Sequence, residues 1–395
     1  MKQALYAAMD GMPVINTHSH HAPAAEQRDL TLENLLEQSY VGWCEEPPAP
    51  DRESRAAYVR RLRANTYFVW FERALRALTG VDQPLCADSW DAFAQAARGL
   101  FADPEAHLTI LKDRCHYEHT LLDAYWNPGS DEGLPGFNTP VYRINMFCFG
   151  YDAQTRDHNG NNPFVTYDWR GLPNLEAYLA KVDETVRAHV AGGCVALKNA
   201  LAYDRGLDFE PCTYEQAKRA YFNPFADAAD RKRFQDFVFA HLCDLAAELS
   251  VPVLCHTGLG GMDKTNAMQM EKVIRAHPRT QFGLMHGSYP WTQDVLGLVH
   301  AHANVYADLC WLPIISTSAA ERFLRELIEV GAMDRITWGC DTWNSVESYG
   351  ALLAGRKALA EVFAGCIEDG LMDQAYALDY IRAILHDNAA RIYRL

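Results

Sequence analysis

Val251-Pro252-Val253-Leu254-Cys255-His256 is a short apolar run that stops on a side chain able to bind a metal. Phe282-Gly283-Leu284-Met285-His286 repeats the pattern, and Ile336-Thr337-Trp338-Gly339-Cys340-Asp341 repeats it with a carboxylate. Upstream, Val195-Ala196-Leu197-Lys198 ends on a lysine, and Pro13-Val14-Ile15-Asn16 leads into Thr17-His18-Ser19-His20. Each run is rich in strand-forming residues. A parallel barrel gathers all its strand ends on one face, where its active sites sit. Residues distant in sequence can then meet around one ion. The reading is α/β, a distorted TIM (β/α)8 barrel.

The second half has the cadence of that fold. Residues 230–249 carry Phe234, Phe237, Val238, His241, Leu242 and Leu245 at helical spacing. Further helices are expected over 265–276, 291–302, 318–331, 351–365 and 376–385, with a strand at Asn304–Leu309. Strand ends recur roughly every 20 to 35 residues, the length of one strand–helix unit.

The first half differs. After His20 the next expected strand is His119–Asp123, a gap of about 95 residues where an ordinary loop takes about 2 to 6. Tyr58–Leu78 and Trp90–Phe101 read as helices. Residues 25–113 are therefore expected to form a helical cap inserted after strand 1, within a single domain spanning 1–395. Another strand, Val141–Met146, precedes an irregular stretch, 152–173, with the Asn-, Gly- and Asp-rich composition of an active-site loop.

The bulk properties are those of a soluble globular protein, with 49% hydrophobic and 22% charged residues. A formal charge of −15 argues against nucleic acid as a partner. Eleven cysteines without a Cys-x-x-Cys pair read as small buried hydrophobes in a reducing compartment. No secretory leader is visible and no apolar stretch approaches a membrane span, so a cytoplasmic location without membrane contact is expected. The expected partners are a small-molecule substrate and, through the apolar faces of the cap, a second copy of the chain.

His18 and His20, two apart on a strand, share a face and can reach one ion. A control lies in the same chain. His300-Ala301-His302 has the same spacing, but it ends a helix just before a strand and so falls on the opposite rim. The same argument sets aside His277, His189 and His116. The set His18, His20, His256, His286 and Asp341 suits Zn2+, with Mn2+ or another divalent ion as alternatives. An open coordination position lowers the pKa of water from ~16 to about 7. Asp341 can then act as general base and acid, while His286 or His256, where it is not itself a ligand, can polarise the bond under attack. Lys198 reads two ways. Carboxylated by CO₂ it can bridge two ions; as an amine it pairs with a buried acid or a substrate carboxylate.

These residues in this order resemble the amidohydrolase superfamily, specifically amidohydrolase family 2. The resemblance implies a TIM barrel whose first-strand pair is His18 and His20. It further implies Lys198 on strand 4, His256 and His286 on strands 5 and 6, and Asp341 on strand 8. Leu197-Lys198-Asn199-Ala200-Leu201-Ala202-Tyr203-Asp204-Arg205-Gly206-Leu207 is similar to the amidohydrolase domain fused to glutamine synthetase in nodulin-like proteins. The inserted helices, with Asn65-Thr66-Tyr67, resemble those of uronate isomerases. Asn16 departs from the acid often found before Thr-His, outside the ligand set. The family mostly hydrolyses amide-type bonds but includes non-oxidative decarboxylases and sugar-acid isomerases, and the shared ligands do not choose among them.

Tyr203, Arg205, Tyr289, Trp311 and Trp343 lie just past strand ends. Arg205 is read either as a clamp on a substrate carboxylate or as a salt bridge within its loop. The tryptophans can wall an apolar part of a ligand or simply pack the loops. Tyr67, Trp70 and Phe71 of the cap can close over the site or form helix core. The leading expectation is a metal-dependent hydrolase of an amide-type C–N bond. Decarboxylase and uronate-type isomerase are the alternatives, and a closed metal site would instead indicate a non-enzymatic barrel.

Overall fold

The computed structural model describes residues 1–395, Ala24 by its backbone alone. Its strands are β1 (Val14–Ser19), β2 (Tyr117–Leu122), β3 (Asn138–Pro140), β4 (Tyr142–Arg143), β5 (Leu197–Asn199), β6 (Val253–Cys255), β7 (Phe282–Leu284), β8 (Val305–Asp308) and β9 (Ile336–Thr337). All pairings are parallel, in the orders β1-β2-β3 and β4-β5-β6-β7-β8-β9. β3 and β4 are two halves of one strand. Val141 lies between them, and its N–H donates to Leu122 O at 2.9 Å while that of Tyr142 donates to Ala196 O at 3.0 Å.

On the other side the last strand returns to the first. Thr17 N donates to Trp338 O at 3.2 Å, Asp341 N to His18 O at 2.8 Å, and His20 N to Thr342 O at 3.0 Å. The two sheets thus close into a ring of eight parallel strands. Gly339 is required at this seam, because a Cβ there would lie 2.7 Å from Thr17 Oγ1 and 2.8 Å from His18 N. Asn16 adds a second tie: its Oδ1 accepts the Cys340 N–H at 2.8 Å.

Inside the ring, Ile15, Leu121, Val141, Ala196, Leu254, Met285 and Tyr306 form one buried cluster, joined by Ala389, Ile392 and Tyr393 of the last helix. The larger cluster lies between the strands and the surrounding helices. Every residue of β1, β5, β6, β7 and β8 is buried. That explains why these runs read as continuous apolar stretches rather than alternating ones.

Between β1 and β2 the chain is helical. Trp90–Phe101 forms as expected, but Tyr58–Leu78 divides into Arg52–Leu62 and Thr66–Thr79. Asn65 makes the break: its side chain accepts from the N–H groups of Tyr67 and Phe68 and so caps the second helix. The strand expected over Val141–Met146 keeps only Tyr142–Arg143, since Asn145–Phe149 coils into a 3-10 turn. The helix expected over 265–276 is a 3-10 turn, Ala267–Met270, followed by Glu271–Ala276. The one expected over 351–365 is longer, Ser345–Glu368, capped by Asn344. The last begins at Gln374 and continues through a wide turn, Ala383–Asp387, into Asn388–Tyr393. The eleven cysteines are free. Among the described residues no helix is long and apolar enough to cross a membrane.

Candidate metal centre and substrate cavity

The seam that closes the ring also assembles three donors. His18 Nε2 lies 3.3 Å and His20 Nε2 3.2 Å from Asp341 Oδ1, and all three side chains are buried. They form a group of ligand atoms within 4.8 Å of one another. Ligands held ~2.0–2.1 Å from a tetrahedral ion sit about 3.3–3.4 Å apart, so the spacing fits one.

The hydrogen bonding argues the same way. His20 Nδ1 donates to Asp123 O at 2.8 Å, so a neutral His20 turns a bare Nε2 lone pair toward the carboxylate. Two acceptors facing each other at that distance need a proton or a metal ion between them. His18 Nδ1 is buried without a partner. Burial pushes the His18 imidazole well below its ordinary pKa, with the charge of Lys198 adding to the effect. Burial works to raise the Asp341 carboxyl, but the neighbouring imidazoles of His18, His20 and His286 outweigh it and hold the carboxyl well below the ordinary range.

His256 and His286 are arranged differently. His256 Nε2 donates to Leu259 O, and its Nδ1 lies 2.9 Å from His286 Nε2. The carbonyl fixes the His256 tautomer, so His286 Nε2 donates to it, and the His286 Nδ1 lies 3.2 Å from Cys310 Sγ, whose thiol can donate to it, and 3.5 Å from Asp341 Oδ2. Burial holds His256 well below and His286 down to about 4, both neutral. Lys198 Nζ lies 3.3 Å from His18 Nε2 and 2.7 Å from Met285 Sδ. Its pKa is lowered by burial against the pull of Asp123 and Asp341.

Three of these strand exits carry non-glycine residues in left-handed backbone: His286 at φ 65°, Trp311 at φ 63° and Asp341 at φ 57°. Such conformations cost about 1–3 kcal/mol each and cluster at working sites.

The donors open onto a cavity of about 220 Å³, lined also by Lys198, His256, Tyr203 and Trp343. Trp343 stacks near His20, with centroids 5.6 Å apart. Trp311 stands edge-on to His286 at 5.3 Å and stacks on Tyr40 at 4.7 Å, behind the cavity wall. Tyr289 packs half-buried against the main core.

Arg205 does not line the cavity. Its Nη1 is 2.8 Å from Asp236 Oδ1, its Nε donates to Gly206 O, and its guanidinium covers Phe209. Of the two readings of Arg205, the geometry is that of a salt bridge, to Asp236 of the helix Ala228–Leu249 and, at 3.5 Å, to Asp208 within its own loop. Trp70 and Phe71 are helix core, with Trp70 Nε1 donating to Thr317 Oγ1, while Tyr67 stacks on Tyr40. From that helical segment it is Tyr40 and Trp43 that reach the cavity.

The cavity's guanidinium is Arg143 at the end of β4, which the sequence reading missed. Its Nε and Nη2 donate to the two oxygens of Asp123, and Nη1 donates to Asn159 Oδ1 at 2.7 Å. Both ion-pair partners are buried. Burial works to raise Asp123, but Arg143 brings it below the ordinary range. A signal existed: Arg143 is a charge in the middle of the apolar run Val141-Tyr142-Arg143-Ile144. His158 and Asn159, from the irregular 152–173 stretch, also line the cavity, and Asp204 holds His158 Nδ1 at 2.9 Å.

Known proteins resemble this chain at two levels. Protein fluG of Emericella nidulans is 30% identical over 414 residues, an alignment covering 97% of this chain and 46% of that protein. The chain thus spans about half the length of this curated relative. The backbone matches a uronate isomerase of Thermotoga maritima (TM-score 0.78, 14% identity, 99% of this chain and 97% of that one). It also matches a glucuronate isomerase of Caulobacter crescentus (0.76, 15%, 100% and 93%). A Lactobacillus casei ATCC 334 protein, provisionally named a metal-dependent hydrolase, matches at TM-score 0.70 and 19% identity over 99% and 97%. At these identities the solved structures speak for the fold. The model of the family described as Amidohydrolase matches residues 176–395, more than half the chain and the whole run from β5 to the last helix. The protein therefore belongs to amidohydrolase family 2.

Proposed function

We propose that the protein is a metal-dependent hydrolase of an amide-type C–N bond in a small, carboxylate-bearing substrate. The observation that carries the reading is the His18, His20 and Asp341 donor group at the floor of a cavity that also holds a buried arginine. A divalent ion held there would supply Lewis-acid polarisation and would lower the pKa of water from ~16 to about 7. Zinc suits two nitrogens and a carboxylate, and manganese or another divalent ion answers the same description.

The chain's own residues do the rest. Asp341 takes the proton of the attacking water and returns it to the departing nitrogen. The carbonyl of Asp123 keeps His20 Nε2 turned inward. Arg143, fixed on two sides by Asp123 and Asn159, offers its remaining N–H to a substrate carboxylate. Trp343 and Tyr203 line the cavity. One ion is the simpler reading, because His256 and His286 are engaged with one another.

Chelation should abolish hydrolysis of a panel of carboxylated amides, and the added metal should restore it. Asp341→Asn should retain the metal and lose the rate. Release of CO₂ from aromatic or unsaturated acids, with no amide cleaved, would replace the proposal with a decarboxylase. A second reading, aldose–ketose isomerisation of a uronate, is supported by the backbone match to two uronate isomerases. It predicts turnover of hexuronates with no amide hydrolysis.

A further inference from the structure

Beside the metal centre lies a second cavity of about 410 Å³ that shares Trp43, Tyr125 and Trp343 with the first. Its chemistry is the opposite of the inner one. Four aromatic rings (Trp43, Tyr125, Trp126 and Trp343) line it together with the carboxylates of Glu26 and Glu37. Among the described residues no lysine or arginine does. Trp43 is 61% exposed and Trp126 40%, unusual for side chains that normally find cover.

Gln27 supplies an independent observation. It lines the same cavity yet is only 1% exposed. Its Nε2 donates to Trp343 O at 3.2 Å, which fixes the amide's orientation, and its Oε1 is buried without a donor. A buried acceptor left open costs stability unless a ligand brings a proton donor to it. Aromatic faces attract cations, carboxylates pair with them, and an amide oxygen accepts from N–H. An ammonium meets all three demands; a neutral or anionic group does not.

We propose that this outer chamber binds an ammonium group at the far end of the substrate's leaving amine. Resting on the amide-hydrolase reading, it narrows the substrate class to bipolar amides. The carboxylate of the acyl half faces Arg143, and the cationic tail of the amine half lies among Trp43, Trp126, Glu26 and Glu37.

The test has two arms on the metal-loaded protein. In the first, 1,4-diaminobutane and the uncharged 1,4-butanediol are titrated by calorimetry and tryptophan fluorescence. The diamine should bind at least about tenfold more tightly, and Glu26→Gln/Glu37→Gln should bring it within about threefold of the diol. Equal affinity for the two, or a preference that survives the double substitution, overturns the proposal. In the second arm, amides of one acyl acid with ω-ammonium or plain alkyl amines are compared. The double variant should lose kcat/KM only for the ammonium amide, leaving the alkyl amide as in the unaltered protein. Diamine preference without hydrolysis of either amide upholds the ammonium chamber and overturns the hydrolase reading instead.

Discussion

Two pairs of histidines meet at the mouth of the ring, and they are put to different uses. His18 and His20 turn their Nε2 atoms to one carboxylate oxygen. His256 and His286 turn theirs to a carbonyl and to each other. All four stand at or just past strand ends, so position alone does not separate them. The difference lies behind the ring. A carbonyl on Nδ1 frees His20 to offer Nε2 inward, whereas a carbonyl on Nε2 ties His256 outward.

The largest effect should come from the first pair. His20→Ala or His18→Ala should empty the site and cut kcat/KM by on the order of a thousandfold or more, with metal content measured beside the rate. His256→Asn or His286→Asn should leave one bound ion and reduce the rate by roughly 10- to 100-fold, the scale of residues that orient a site. If either substitution halves the metal content, the two pairs each hold an ion, and Lys198 is then the bridge to look for.

Arg143 extends the contrast from nitrogen donors to charge. Arg143→Met should destabilise the fold by about 3–5 kcal/mol in denaturant melts, because Asp123 is left buried and unpaired. Arg143→Lys should fold but raise KM for carboxylated substrates, since an ammonium cannot span both Asp123 oxygens and a ligand.

Acid should expose the second pair. His286, down to about 4, and His256, also lowered, stay neutral in the fold but take up protons near pH 6.5 once unfolded. Stability of the metal-free protein should therefore be intact above pH 6.5 and fall as the pH drops toward 4. The double variant His256→Asn/His286→Asn should lose less over that window. The smallest effect is expected from Arg205→Lys, within about twofold in kcat/KM, since its partner Asp236 lies outside the cavity.

The sequence exposed the donors because a strand end that stops on histidine or aspartate is a local pattern, repeated often enough to be seen. The ring was legible for the same reason. Arg143 and Asp123 were not read, because a charge inside an apolar run, the one signal present, acquires meaning only from the neighbouring strand. Arg205 failed in the opposite sense: it sits near the right strand end, yet Asp236, on the helix Ala228–Leu249, claims it. Asn65 hid its break inside an amphipathic pattern that continued in phase on both sides. The partnering of His256 with His286 was invisible, since spacing tells which residues meet but not which nitrogen each presents.

The seam between β1 and β9 has a consequence for how the molecule comes into being. Asn16 and Cys340, bonded across it, are 324 positions apart. Until the two arms of the chain join, there is no pocket for the ion, and a shortened or half-made polypeptide has nothing to hold one with. Capture of the ion would then act as a clasp on the finished ring, its binding free energy offsetting part of the entropic cost of closure. Loading with metal would then report a completed fold, and stripping it should loosen the molecule first where its beginning meets its end.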